Sequence, residues 1–188
     1  MIKAVIFDCF GVLSTEAWLS FKAKYFGHDP RLLDQASHII WQANGGLIGY
    51  DDFMRSIASL AGITPMEAAK AIERNVPDEE LFAYLRELKD NYKLGLLSNV
   101  AAGQLYNIFT KDQMDLFDAI VLSFENGLIK PQAEAYQNAA KQMGVDSNEC
   151  VFVDDQERNT AGAIESGMKA ILYHNPAQLR QELAPLLK

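Results

Sequence analysis

The sequence predicts an α/β fold, a doubly wound parallel sheet carrying a small inserted helical segment. Three observations point there. Short apolar segments recur along the chain, helical patterns alternate with them, and one long stretch near the start has no strand. The apolar runs AVIF, LGLL, AIVL, VFV and AILY are continuous instead of alternating. Continuous runs suit strands buried on both faces of a parallel sheet. Alternation with helices suits a doubly wound topology.

In chain order, the first strand is expected at Lys3–Asp8. Thr15 to about Val76 reads as helices only: Thr15–Tyr25, Arg31–Ala43, Tyr50–Ala61 and Pro65–Arg74. GHDP, NGG and AGIT separate them. A helix at Glu79–Lys89 puts Leu81, Phe82, Leu85 and Leu88 on one face. Asp78 is its expected N-cap, and Glu79 and Glu80 suit the positive end of its dipole. The remaining strands are expected at Leu94–Ser98, Ala119–Ser123, Cys150–Asp154 and Ala170–Tyr173. Helices are expected at Ala101–Phe109, Ala133–Met143, Asn159–Ser166 and Ala177–Ala184. The division is therefore a core of residues 1–14 and 77–188 with a helical cap at 15–76. An insertion after the first strand lies beside the carboxyl edge of the sheet, where open α/β folds bind ligands. It is placed to act as a lid.

Bulk properties bound the function. The 188 residues suffice for one real core. A net charge of −8 argues against a nucleic-acid binder, which needs a basic face. Ala4–Phe7 is too short for a signal-peptide core or a membrane span. Cys9 and Cys150 are the only cysteines, a usage that fits a reduced cytoplasmic protein. The two lie at opposite ends of their strands, beyond disulfide reach.

The strand ends carry the chemistry. Strand one ends in Asp8, strand two in Ser98 and Asn99, and strand four in Asp154 and Asp155. The loop after strand three carries GLIKP, with Lys130. A parallel sheet brings all of these to one edge. Clustered carboxylates repel unless protonated or bridged by a cation. Oxygen ligands without histidine suit a hard ion, Mg²⁺ above all. A metal, a lysine and a Ser-Asn pair would cradle a phosphate and stabilise charge in phosphoryl transfer. A carboxylate can itself be the nucleophile. Each piece has a structural alternative: Ser98 and Asn99 as a helix cap, Lys130 as a solvated side chain, the Asp pair at a helix start.

FDCFGVL, LLSN, GLIKP and VFVDD, in this order, resemble the haloacid dehalogenase superfamily over nearly the whole chain. The resemblance implies a Rossmann-like sheet in the order 5-4-1-2-3, with a helical cap after strand one. It implies Asp8 as nucleophile, Ser98 and Asn99 on the phosphate, and Lys130 touching both phosphate and nucleophile. Asp155 would bind Mg²⁺ directly, with Asp154 nearby or acting through water. The Phe10 carbonyl would join the same ion, and Asn159 would support the site.

Phe10 departs from the pattern. Most phosphatases of the superfamily carry an aspartate there, which protonates the leaving oxygen and then activates water. Such acid–base catalysis is worth about 10²- to 10⁴-fold. The leading expectation is a Mg²⁺-dependent phosphomonoesterase acting through an aspartyl-phosphate on a small phosphorylated metabolite, slowed by the missing acid. Glu16 is a candidate substitute. One alternative is an impaired relative that binds a phosphorylated ligand or a protein partner. A weaker one is a dehalogenase-like hydrolase, since those relatives carry tyrosine at position 10 but Ser-Asn in place of Asp154-Asp155. No nucleic acid or membrane partner is expected, and the protein is a monomer or homodimer.

His28, His38 and His174 show no metal spacing. Trp18, Phe21, Tyr25, Trp41 and Phe53 are expected to form the cap core, with a minority of them free to face the site and choose the substrate. Asn44–Tyr50 reads equally as a substrate-facing turn or as a plain helix connection.

Overall fold

The computed structural model describes residues 1–105 and 108–187. β1 (Ala4–Phe7) is followed by α1 (Ala17–Phe26), α2 (Pro30–Asn44), α3 (Tyr50–Ala61) and α4 (Pro65–Ile72). The chain continues through α5 (Glu79–Lys89), β2 (Lys93–Ser98), α6 (Lys111–Met114), β3 (Ala119–Leu122), α7 (Ser123–Asn126) and α8 (Ala133–Met143). A short 3₁₀ turn leads into β4 (Cys150–Asp154), α9 (Glu157–Glu165), β5 (Lys169–Leu172) and α10 (Pro176–Leu183).

All strand pairs are parallel, in the order β3-β2-β1-β4-β5. This is the expected order read from the other edge. The central strand shows why its run is continuous. Val5 and Phe7 pack with Leu81, Leu85 and Leu179 on one face of the sheet. Ala4 and Ile6 pack with Tyr136, Ala139 and Ala163 on the other. Side chains alternate across a strand, so burial on both faces leaves no polar positions. Asp78 caps α5 as expected: its Oδ1 accepts the Leu81 N–H at 2.9 Å.

α1–α4 enclose a separate apolar cluster built on Phe21, Phe26, Phe53, Met54 and Ile57. The two ends of this insertion leave the sheet side by side. The Asp78 N–H donates to the Leu13 carbonyl (2.9 Å) and the Thr15 N–H to that of Val76 (3.0 Å). The Val76 N–H donates to Thr15 Oγ1 (2.9 Å), and Asn75 Oδ1 accepts the Ala17 N–H (2.8 Å). At the far end, Gly46 has a φ of +70° and lies against the Phe124 carbonyl, where a Cβ would collide. The connection after α2 is thus a contact with the core at α7, more than a spacer.

One expectation needs correction and another is narrowed. Ala101–Phe109 was expected to be helical, but its described residues form turns; Tyr106 and Asn107 lie outside the described residues. The Ala101 N–H is taken by Gln104 Oε1 (3.0 Å) and the Val100 N–H by Ser123 Oγ (3.0 Å). Gly103 adopts a φ of +85°, which no right-handed helix contains. Trp41 belongs to the minority that faces the site and not to the cap core: it is 51% exposed, stacks on His38 and lines the cavity described below. No described helix is long and apolar enough to cross a membrane.

Candidate active site

The carboxyl edge of the sheet brings the strand-end residues together. β1 stops at Phe7, and the Asp8 N–H still donates to the Val153 carbonyl (2.9 Å), fixing Asp8 beside the end of β4. Lys130 Nζ lies 2.7 Å from Asp8 Oδ1 and 2.7 Å from Asp154 Oδ2. All three side chains are buried. Asp8 Oδ1 also accepts the Cys9 N–H at 2.7 Å. Burial works against the Lys130 ammonium, but the charges of Asp8 and Asp154 outweigh it and hold the lysine protonated.

Asp154 has no spare capacity. Its Oδ1 accepts the Gln156 N–H (2.8 Å), and Asn159 Nδ2 lies 3.0 Å from both carboxylate oxygens. Asn159 therefore fixes Asp154. Asp155 differs: its Oδ1 is buried with no hydrogen-bond partner. Gly11 explains how Asp155 fits. It has a φ of +83°, and a Cβ there would stand 2.5 Å from Asp155 Oδ2. Glycine meets both demands, the left-handed backbone and the close approach.

Carboxylate oxygens of Asp8, Asp154 and Asp155 fall within 4.8 Å of one another. Three carboxylates face one ammonium, so the cluster has negative charge to spare. Burial raises the Asp8 carboxyl above its ordinary range, with Lys130 opposing and Asp154 adding to the rise. Burial and the Asp154 charge raise Asp155 also. An unpartnered carboxylate oxygen, all-oxygen donors and excess negative charge fit a hard divalent cation.

The other predicted residues fall as follows. Ser98 is fully buried at the end of β2, its hydroxyl without a partner. Asn99 is spent on Lys130: its Nδ2 donates to the Lys130 carbonyl (2.9 Å), and its Oδ1 accepts the Lys130 N–H (2.8 Å). Its amide thus positions the lysine. The Phe10 ring packs against the core cluster of β1 and also lines the cavity. The Phe10 backbone lies in a small loop closed by Gly11 N–H to Ser14 O (2.8 Å) and Ser14 N–H to Cys9 O (3.0 Å); its own carbonyl is in neither bond. Cys9 and Cys150 are free and buried.

Above the cluster opens a cavity of about 580 Å³, lined by Asp8, Lys130 and Asp155 on the sheet side. Trp18, Leu19 and Trp41 line it from the insertion. Glu16 lines it too; burial, and then the Asp155 charge, push its carboxyl up to about 7. Asn44 lines it as well, at the start of the stretch that could be a substrate-facing turn, while Lys22 and Arg158 are lining residues that sequence reasoning missed. For Lys22 a signal existed: it sits one turn on from Trp18 and Leu19 along α1, off the buried stripe of Ala17 and Phe21. For Arg158 the sequence held none.

Comparison with known proteins matches residues 2–167 to the family described as haloacid dehalogenase-like hydrolase. A sesquiterpene phosphatase of Aspergillus oryzae is 31% identical, with 98% of this chain and 96% of that protein aligned. A D-ribitol-5-phosphate phosphatase of Bacteroides thetaiotaomicron is 28% identical over 100% of this chain and 99% of that one. In fold, the chain is similar to a haloacid dehalogenase family enzyme from the same bacterium, solved with magnesium and inorganic phosphate. That similarity has a TM-score of 0.78 at 24% identity, covering 95% of this chain and 99% of that one.

Proposed function

We propose, from the premise that this chain belongs to the haloacid dehalogenase-like hydrolases, that it is a phosphomonoesterase working through Asp8. One observation carries the reading: a buried ammonium, Lys130, joins Asp8 to Asp154 beside an unpartnered Asp155 carboxylate at the floor of a cavity. Asp8 attacks phosphorus and displaces the alcohol, giving an aspartyl-phosphate that water then hydrolyses. Lys130 orients Asp8 and offers positive charge to the phosphoryl oxygens. Ser98, at the end of the neighbouring strand, has a hydroxyl free for the phosphate, and the Asn99 backbone accompanies it. Asp8, Asp155 and the Phe10 carbonyl would hold Mg²⁺, which would neutralise the spare charge and polarise the phosphoryl group. Asp154 and Asn159 fix the surroundings.

We read residues 15–76 as a cap on a core of residues 1–14 and 77–188. Their own apolar cluster and their part in the cavity wall support this. The substrate is a metabolite-sized phosphate ester, in keeping with the relatives that act on sesquiterpene and ribitol-5-phosphate. Two free cysteines fit a reducing cytoplasm. Haloalkanoate chemistry is disfavoured, because Asp154 and Asp155 repel a carboxylate substrate.

Hydrolysis of a panel of aryl, sugar and prenyl phosphates, with Mg²⁺ or with a chelator, tests the proposal. Metal-dependent turnover by the wild type and none by Asp8→Asn is expected. Full activity in Asp8→Asn overturns the nucleophile assignment. A wild type that binds phosphate esters without turning them over leaves the non-enzymatic alternative, which Phe10 favours.

A further inference from the structure

We infer that Glu16 is the general acid and base of this site, replacing the carboxylate that position 10 lacks; the inference rests on the phosphatase reading above. Four observations converge on it. Phe10 lines the cavity with a ring that can neither give nor take a proton. Glu16 lines the same cavity as Asp8 and Lys130. Its Oε2 is buried and bonded to nothing among the described residues. It has no structural employment either: it stands at the N-cap of α1, yet its side chain makes no capping bond.

Its placement is fixed from both sides. The Thr15 N–H is held by the Val76 carbonyl at 3.0 Å, and the Ala17 N–H by Asn75 Oδ1 at 2.8 Å. A pinned backbone holds a side chain to one task, as catalytic positioning requires. Glutamate is also a poor N-cap beside Ser, Thr, Asp or Asn, so capping does not explain the residue. Lys22 lowers the Glu16 carboxyl somewhat, but the two make no ion pair within 4 Å.

The proton balance closes. As an Asp8 oxygen forms its bond to phosphorus, the bond from phosphorus to the leaving oxygen breaks. That oxygen takes the Glu16 proton and departs as the alcohol. Water then attacks the phosphoryl group and gives a proton to the Glu16 carboxylate. The bond to Asp8 breaks, phosphate leaves, and both carboxyl groups return to their starting states. Nothing beyond water is consumed.

The test varies the leaving group. Wild type, Glu16→Gln and Glu16→Gln/Phe10→Asp are assayed with an alkyl phosphate and with para-nitrophenyl phosphate, whose leaving group departs without protonation. Glu16→Gln should lose about 10²- to 10⁴-fold in kcat/KM toward the alkyl phosphate. Toward the nitrophenyl ester kcat/KM should fall less than about tenfold, while kcat drops and a burst of nitrophenol reveals accumulated phosphoenzyme. The second substitution should restore alkyl turnover, which also excludes simple misfolding. Equal losses on both substrates, or no loss on the alkyl ester, overturn the role of Glu16 alone. A wild type silent on both esters overturns the phosphatase reading, and this inference with it.

Discussion

Lys130→Met removes a charge while keeping most of the side-chain volume. The lysine contacts Asp8 and Asp154 at 2.7 Å each, and its own exposure is 2%. Taking one partner out of a buried ion network costs about 3–5 kcal/mol, because the charges left behind stay desolvated. At about 2–4 °C per kcal/mol for a chain of this size, Tm should fall by about 6–20 °C. The measurement is thermal unfolding near neutral pH in a chelator, so that no cation substitutes for the ammonium. The pH dependence adds a second check. A lysine whose folded pKa is raised gives its full stabilisation below its ordinary value of 10.5, and loses it only as pH rises through the folded value. At pH 7 the whole contribution is present. In the variant, Asp8, whose carboxyl burial already raises, can shed its stranded charge by protonation, so acidification toward pH 5 should narrow the gap to wild type. A Tm loss below about 2 °C, or a gap that widens on acidification, would refute the account of Lys130 as the neutralising centre.

Other consequences are open to measurement. Gly11→Ala must either move the Asp155 carboxylate or strain the backbone; it should weaken Mg²⁺ binding at least about tenfold by calorimetry, with a stability loss of about 1–3 kcal/mol. Glu16 titrates at about 7 when folded, above its ordinary 4.5, so it lends stability that is fully present below about 4.5 and gone as pH rises through 7. In a chelator, wild-type Tm should therefore decline from pH 5 to pH 8, and Glu16→Gln should flatten that decline by about 3 kcal/mol. Asp78→Ala removes the cap of α5 and should cost about 1 kcal/mol in urea unfolding with an unchanged m-value.

The sheet was legible because its strands are short, apolar on both faces and separated by amphipathic helices. Tyr50–Ala61 and Ala133–Met143 matched the expected bounds at both ends, since each stops at a glycine with positive φ, Gly62 and Gly144. The stretch after β2 was misread because its competing hydrogen bonds come from Gln104 and from distant Ser123, which no helical periodicity reveals. α6 and α7 span four residues each, too few to show a period. In the site, the carboxylates were legible from their positions at strand ends. The pairing of Asn99 with the Lys130 backbone was not, because it joins two loops 31 residues apart. Which of the cap aromatics faces the site was not legible, because an apolar residue reads as core until the helix face it occupies is known.

The paired ends of the insertion have a consequence for how such a chain can change. Leu13 meets Asp78 and Thr15 meets Val76 through backbone bonds, so beside the sheet the two ends of the insertion are held together like the base of one short hairpin. Changes within residues 17–74 that keep these bonds and the Gly46 contact with Phe124 should leave the register of β1 unshifted. Glu16 lies on the insertion's side of that junction. If residues 15–76 act as the proposed cap and Glu16 as the proposed acid, a graft that replaced the insertion from residue 15 would remove that acid, so an exchange that keeps it has to begin after Glu16.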